Sequence, residues 1–185
     1  MVWHASLKEF PVDKLIFVDE SHASTSMARL RGWGLRGQRV IGSIPHGHYK
    51  TQTMLSGVRL SGPVAPFVFD GALDGEVFRI WVEKILLPEL NSGDIVILDN
   101  LSSHKTAAAR EMIEAAGCQL LFLPPYSPDY NPIENMWSKI KEYLRTLAAR
   151  ELEALYEAVT VAFSQVTPQD CNGFFRHCGY VQING

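Results

Sequence analysis

Two short apolar runs, each ending in aspartate, constrain this chain more than any other feature. Residues 15–18 (LIFV) lead into Asp19, and residues 95–98 (IVIL) lead into Asp99. Runs this short, with no polar interruption, read as central strands covered on both faces. An acid at the carboxyl end of such a strand stands where open α/β sheets place their ligand sites. A single acid there is as readily the first residue of a loop or a helix cap, so the pair has to be judged with the rest of the chain.

The segments between and beyond these strands alternate in a definite order. Residues 49–60 and 64–69 are rich in β-formers and separated by Ser61, Gly62 and Pro63, a hairpin signal that makes the first three strands antiparallel. Residues 74–90 place Phe78, Trp81, Val82, Ile85 and Leu86 on one helical face, with Pro88 near the end. Residues 105–116 read as a helix closed by Gly117 and followed by a strand over 119–123, a β-α-β unit with parallel pairing. Helices are expected over 132–147, 151–165 and 168–177. The order predicts one α/β domain spanning 1–185, with a mixed five-stranded sheet, three antiparallel strands then two parallel, and helices on both faces. That is the ribonuclease H-like arrangement. An apolar content of 46% supplies the core for it.

The net charge of −3 argues, by itself, against a nucleic-acid partner. The average conceals an asymmetry, because residues 21–69 contain no Asp or Glu, while Arg29, Arg31, Arg36, Arg39, Lys50 and Arg59 all fall there. Such a block predicts a surface for a polyanion. Cys118, Cys171 and Cys178 have no CxxC spacing and read as reduced thiols, and the grouping of Cys171, His177 and Cys178 fits no common zinc pattern. No apolar stretch approaches a membrane span and no export signal is recognisable at the start, so the expected location is cytoplasmic.

The segment 123–141 reads LPPYSPDYNPIENMWSKIK. Asn131 suits an N-cap, Pro132 the first helical position, and Glu134 then falls at the third. Ile133, Trp137, Ile140 and Leu144 share the buried stripe, whereas Glu134, Ser138 and Lys141 lie on another. Two readings of Glu134 stay open on spacing alone: an outward-facing functional acid, or the return bond of a capping box with Asn131.

Asp19, the run LDNLSSH over 98–104, and SPDYNPIENMWSKIK over 127–141 resemble bacterial insertion-sequence transposases of the mariner type, DDE superfamily endonucleases. The resemblance spans residues 15 to about 175. It implies an Asp, Asp, Glu triad, carried here by Asp19, Asp99 and Glu134; thirty-four residues, 100 to 133, separate the last two. It further implies two Mg2+ or Mn2+ ions, with Asp19 bridging both, Asp99 holding one and Glu134 the other, and cleavage and joining of DNA by in-line displacement. Asn100 and His104 would stand beside the cleft, a helix cap and a surface histidine being the alternative. Arg36, Lys139, Lys141 and Arg145 are the candidate contacts to the DNA backbone. Trp33 and Tyr126 are candidates for stacking on an unpaired base, with packing as the commoner role of such rings.

Family members usually begin with a helix-turn-helix region, and none is recognisable ahead of Leu15. A separately encoded helix-turn-helix partner, a homodimer in the DNA complex, transposon ends and target DNA, and nucleoid association when bound are the corresponding expectations. The competing readings are a nuclease of the same fold acting on another substrate, and a regulatory remnant that binds DNA without catalysis.

Overall fold

Alternation along the first strand decides how the sheet is covered. In β1 (Leu15–Ser24) Leu15 and Phe17 enter one core, while Ile16 and Val18 enter another on the opposite face. The computed structural model describes residues 3, 10–43, 45–99, 107–125 and 127–181. β1 lies in the middle of one five-stranded sheet with β2 (Thr51–Arg59), β3 (Gly62–Phe69), β4 (Ile95–Leu98) and β5 (Gln119–Phe122), in the order β3-β2-β1-β4-β5. The pairs β1/β2 and β2/β3 are antiparallel, and β1/β4 and β4/β5 are parallel, as the pattern predicts.

One face is covered by α1 (Gly75–Trp81) and α2 (Ala107–Ala115), which contribute Phe78, Trp81, Ala109 and Ile113. The other is covered by α3 (Pro132–Leu147), α4 (Leu152–Ser164) and α5 (Pro168–His177). α3 sends Ile133, Met136, Trp137, Ile140 and Leu144 against Phe17 and Ile97. At the amino end of β4, Asp94 is 2% exposed and lies 3.5 Å from Lys14 and 3.6 Å from Arg59. Its carboxylate also accepts from the Asn91 N–H at 2.9 Å, fixing the sheet edge opposite Asp99.

Three expectations change. β1 runs on to Ser24, because pairing with β2 from Phe17↔Val58 to Ser24↔Thr51 satisfies its backbone after the apolar run ends. The helix expected over 74–90 is helical throughout but changes pitch, with a π turn over Val82–Leu86 and a 3-10 turn over Leu87–Glu89. Pro88 has no N–H to continue the α ladder, which accounts for the altered winding around it. Pro63 belongs to β3 and not to the turn; β3 is an edge strand, where a missing donor is tolerated.

The middle of the acid-free block, residues 25–50, leaves the sheet as a long excursion between β1 and β2. Its base is closed by the Thr25 N–H donating to the Lys50 carbonyl and the Lys50 N–H donating to Thr25 Oγ1, both at 3.0 Å. Arg150, between α3 and α4, donates to the carbonyls of Thr25 at 2.9 Å and Met27 at 2.8 Å. Residues 29–43 beyond that base are exposed.

Candidate active site

Strand register brings the first two acids together. β1 and β4 run parallel with Val18 opposite Leu98, so Asp19, in the middle of β1, adjoins Asp99, which follows the last residue of β4. Parity places Asp19 on the face of Leu15 and Phe17, and Asp99 on the face of Ile95 and Ile97, which is the face that α3 covers. Glu134 lies in the first turn of α3, beside the buried Ile133. The three positions, far apart in sequence, therefore converge through one parallel pairing and one packed helix.

Asp19 is 8% exposed, Asp99 is half-buried and Glu134 is exposed. The Asp19 carboxyl is pushed up to about 8, chiefly by burial and then by the negative charges of Glu20, Glu134 and Asp99; a backbone hydrogen bond at Glu20 acts in the opposite direction. All three neighbouring acids thus act on Asp19 through space. Alternation along β1 turns Glu20 toward the opposite face, so it acts on Asp19 as its chain neighbour, and the sequence reading did not single it out.

The capping-box reading of Glu134 does not hold. Asn131 occupies the N-cap position, but its side chain makes no capping hydrogen bond. Its N–H donates to the Pro128 carbonyl at 2.9 Å, not to the Glu134 carboxylate. With Asn131 4% exposed, its side chain is turned into the protein, where Oδ1 has no partner among the described residues. A concavity of about 350 Å³ opens on Glu134, lined also by Asp129, Asn135 and His177.

The donor set is all oxygen, which suits a hard divalent cation such as Mg2+ or Mn2+. Among the described residues no three His, Cys, Asp or Glu side chains stand close enough to hold one ion as they are. Two carboxylates brought to 4 Å repel by roughly 4 kcal/mol at an effective dielectric near 20, so closing the three acids on one site needs a cation. The chemistry of the donors and the raised Asp19 carboxyl both fit a cation that draws the group together.

The other candidates are scattered. Lys139 is paired with Asp170, whose carboxyl is lowered to about 2 by hydrogen bonds from Lys139 and Thr167. Lys141 is half-buried on α3, and Arg36 is exposed on the excursion. Arg145 lines a cleft of about 550 Å³ with Arg29, Arg31 and Trp33. Asn100, His104 and Tyr126 lie outside the described residues.

A mixed sheet of this order, sandwiched by helices and carrying an acid on its central strand beside one that follows the neighbouring parallel strand, defines the ribonuclease H-like class of α/β proteins. The chain belongs to the DDE superfamily endonucleases, whose family model matches residues 14–156. A search of curated proteins by sequence returns no match.

Solved structures share the fold. The Mos1 transposase paired-end complex with the left transposon end superimposes with a TM-score of 0.72 at 17% identity, over 96% of this chain and 54% of that one. The Mos1 mariner paired-end complex with Mn gives 0.73 at 16% identity, over 96% and 54%. The catalytic domain of Mos1 mariner transposase gives 0.67 at 14% identity, over 96% and 80%. The chain spans about half the length of the Mos1 transposase chains in the paired-end complexes.

Proposed function

We propose that this chain is the catalytic domain of a DNA transposase, cleaving DNA at transposon ends and joining the freed 3'-hydroxyl to target DNA. The observation that carries the reading is the parallel register that sets Asp19 beside Asp99, with Glu134 acting on Asp19 from the covering helix. Asp19, central among the acids, is assigned to two divalent ions, Mg2+ or Mn2+, with Asp99 holding one and Glu134 the other. Bound there, such ions neutralise the acids and polarise the scissile phosphate.

The chain's own part is orientation. Asp19 is fixed by strand pairing, Asp99 follows directly on the paired Leu98, and Glu134 sits in the packed first turn of α3. In each step an oxygen nucleophile, water first and a DNA 3'-hydroxyl later, forms a bond to phosphorus as the bond to the departing oxygen breaks in line. No covalent bond to the protein is required. The existence of Mos1 complexes with transposon-end DNA and with Mn supports DNA and a divalent cation as partners. A homodimer in the DNA complex and a separately encoded helix-turn-helix partner belong to the same proposal. No helix among the described residues is long and apolar enough to cross a membrane.

The test is Mg2+-dependent cleavage and strand transfer on duplexes carrying the sequences that flank the coding region. Wild-type protein is expected to give nicked and joined products. Asp99→Ala is expected to lose activity by roughly two to three orders of magnitude. Full activity in that variant would sink the assignment.

Arg36, Lys141 and Arg145 are proposed to contact the DNA backbone, with Lys139 the weaker candidate because Asp170 already matches its charge. Each Arg36→Ala, Lys141→Ala or Arg145→Ala substitution is expected to reduce the slope of log affinity against log salt by about one. An unchanged slope, measured by fluorescence anisotropy across a salt series, contradicts direct contact at that position.

A further inference from the structure

The chain ends its last helix in a way that ties the two acid-bearing elements together. After α5, Gly179 adopts φ +81°, a left-handed conformation that glycine takes without a Cβ penalty. Its N–H donates to the Arg176 carbonyl at 3.0 Å, and the Tyr180 N–H donates to the Phe175 carbonyl at 2.9 Å. This is a Schellman cap, and its usual companion is apolar contact between the residue after the glycine and one in the last helical turn. Here that contact is Tyr180 on Phe175, with ring centroids 6.1 Å apart.

The cap directs Tyr180 back across the sheet. Its ring lies 4.9 Å from that of Phe17, which also meets Phe175 edge-on at 5.5 Å. Phe17 stands on β1 two residues before Asp19 and on the same face. The Tyr180 hydroxyl accepts from Trp3 Nε1 at 2.8 Å and donates to the Tyr130 carbonyl at 2.7 Å. Tyr130 closes the 3-10 turn Pro128–Tyr130, which leads through Asn131 into α3 and Glu134. Burial pushes the Tyr180 hydroxyl's pKa upward, so it remains a donor.

We infer that Tyr180 is a positioning residue: its ring braces the strand that carries Asp19, and its hydroxyl holds the turn that sets Glu134. One side chain thereby fixes the spacing between two of the three acids. The inference rests on the reading of Asp19, Asp99 and Glu134 as the cation site. It assigns Tyr180 no contact with DNA or with the reacting atoms.

Tyr180→Phe isolates the hydroxyl, since the ring packing is retained. Amide exchange in the metal-free protein reads the turn directly. The N–H groups of Tyr130, Asn131 and Glu134 donate to Ser127, Pro128 and Asn131 carbonyls, so their exchange reports opening there. Of the hydroxyl's two hydrogen bonds, loss of the one to the Tyr130 carbonyl predicts exchange roughly fivefold faster at these amides. Calorimetric titration with Mn2+ is expected to show a half-saturating concentration raised about three- to tenfold.

Ile113→Val, in the core of the opposite face, serves as a control of similar thermal destabilisation and should change neither reading. Unchanged exchange and unchanged Mn2+ affinity in Tyr180→Phe overturn the inference, as do equal changes in Ile113→Val. Failure of the wild-type protein to bind Mn2+ overturns the cation site instead, and the exchange experiment still decides the role of the hydroxyl.

Discussion

Asp19→Asn is expected to abolish DNA cleavage and, at the same time, to raise the melting temperature of the metal-free protein at pH 8. The two effects share a cause. Asp19 is buried among Glu20, Glu134 and Asp99, and its carboxyl is pushed up to about 8 from an ordinary value of 3.8. A raised acid binds its proton more tightly in the folded than in the unfolded chain. Folding stability therefore falls as pH rises from about 4 to about 8. Below that window both states are protonated and no penalty exists. Above it the full penalty remains, at most about 6 kcal/mol for a rise from 3.8 to about 8.

Asparagine cannot ionise, so the variant should match wild type near pH 4 and exceed it by several degrees at pH 8, at about 2–4 °C per kcal/mol. Mg2+ should close that gap by stabilising wild type alone. Cleavage should fall by roughly two to three orders of magnitude, because a ligand that spans the site is lost. Thermal melts at the two pH values, with and without Mg2+, check the first part. A pH-independent difference would contradict the electrostatic account, and retained cleavage would contradict the functional one.

Phe17→Ala is expected to carry the largest loss of stability in the chain. Phe17 is fully buried on the central strand, between the rings of Phe175 and Tyr180. Truncation removes its transfer free energy and leaves a cavity that strands paired on both sides cannot collapse to fill. About 3–5 kcal/mol is lost, which lowers the melting temperature by on the order of 10 °C. Circular dichroism during heating reads this directly. A loss below about 1 kcal/mol would mean that the two rings are not anchored on β1 as described.

These two residues also show what could be read ahead of the structure. The runs at 15–18 and 95–98 are uninterrupted and short, so burial on both faces was their only economical reading, and β4 has the bounds expected for it. Pro132 at the first helical position and Gly117 after α2, at φ +75°, are local signals that survive any tertiary context.

What stayed hidden depends on long-range partners. β1 continues to Ser24 because β2 pairs with it, a fact absent from residues 20–24, which are polar apart from Ala23. Residues 25–50 have no periodicity, and the Thr25–Lys50 closure and Arg150 mark where that excursion begins. Glu134 had two readings at one spacing; the direction taken by the Asn131 N–H removes the capping-box one. Gly179 was unremarked because a cap beyond the last helix matters here only for where it sends Tyr180.

The central claim is that positions 19, 99 and 134 form one cation cradle. Anomalous X-ray scattering from crystals soaked in Mn2+ tests it most directly. The account predicts two Mn2+ ions, one within about 2.1 Å of carboxylate oxygens of Asp19 and Asp99 and the other equally close to Asp19 and Glu134. Mn2+ held by Asp19 and Asp99 alone, with Glu134 turned away toward its own helix, would contradict it.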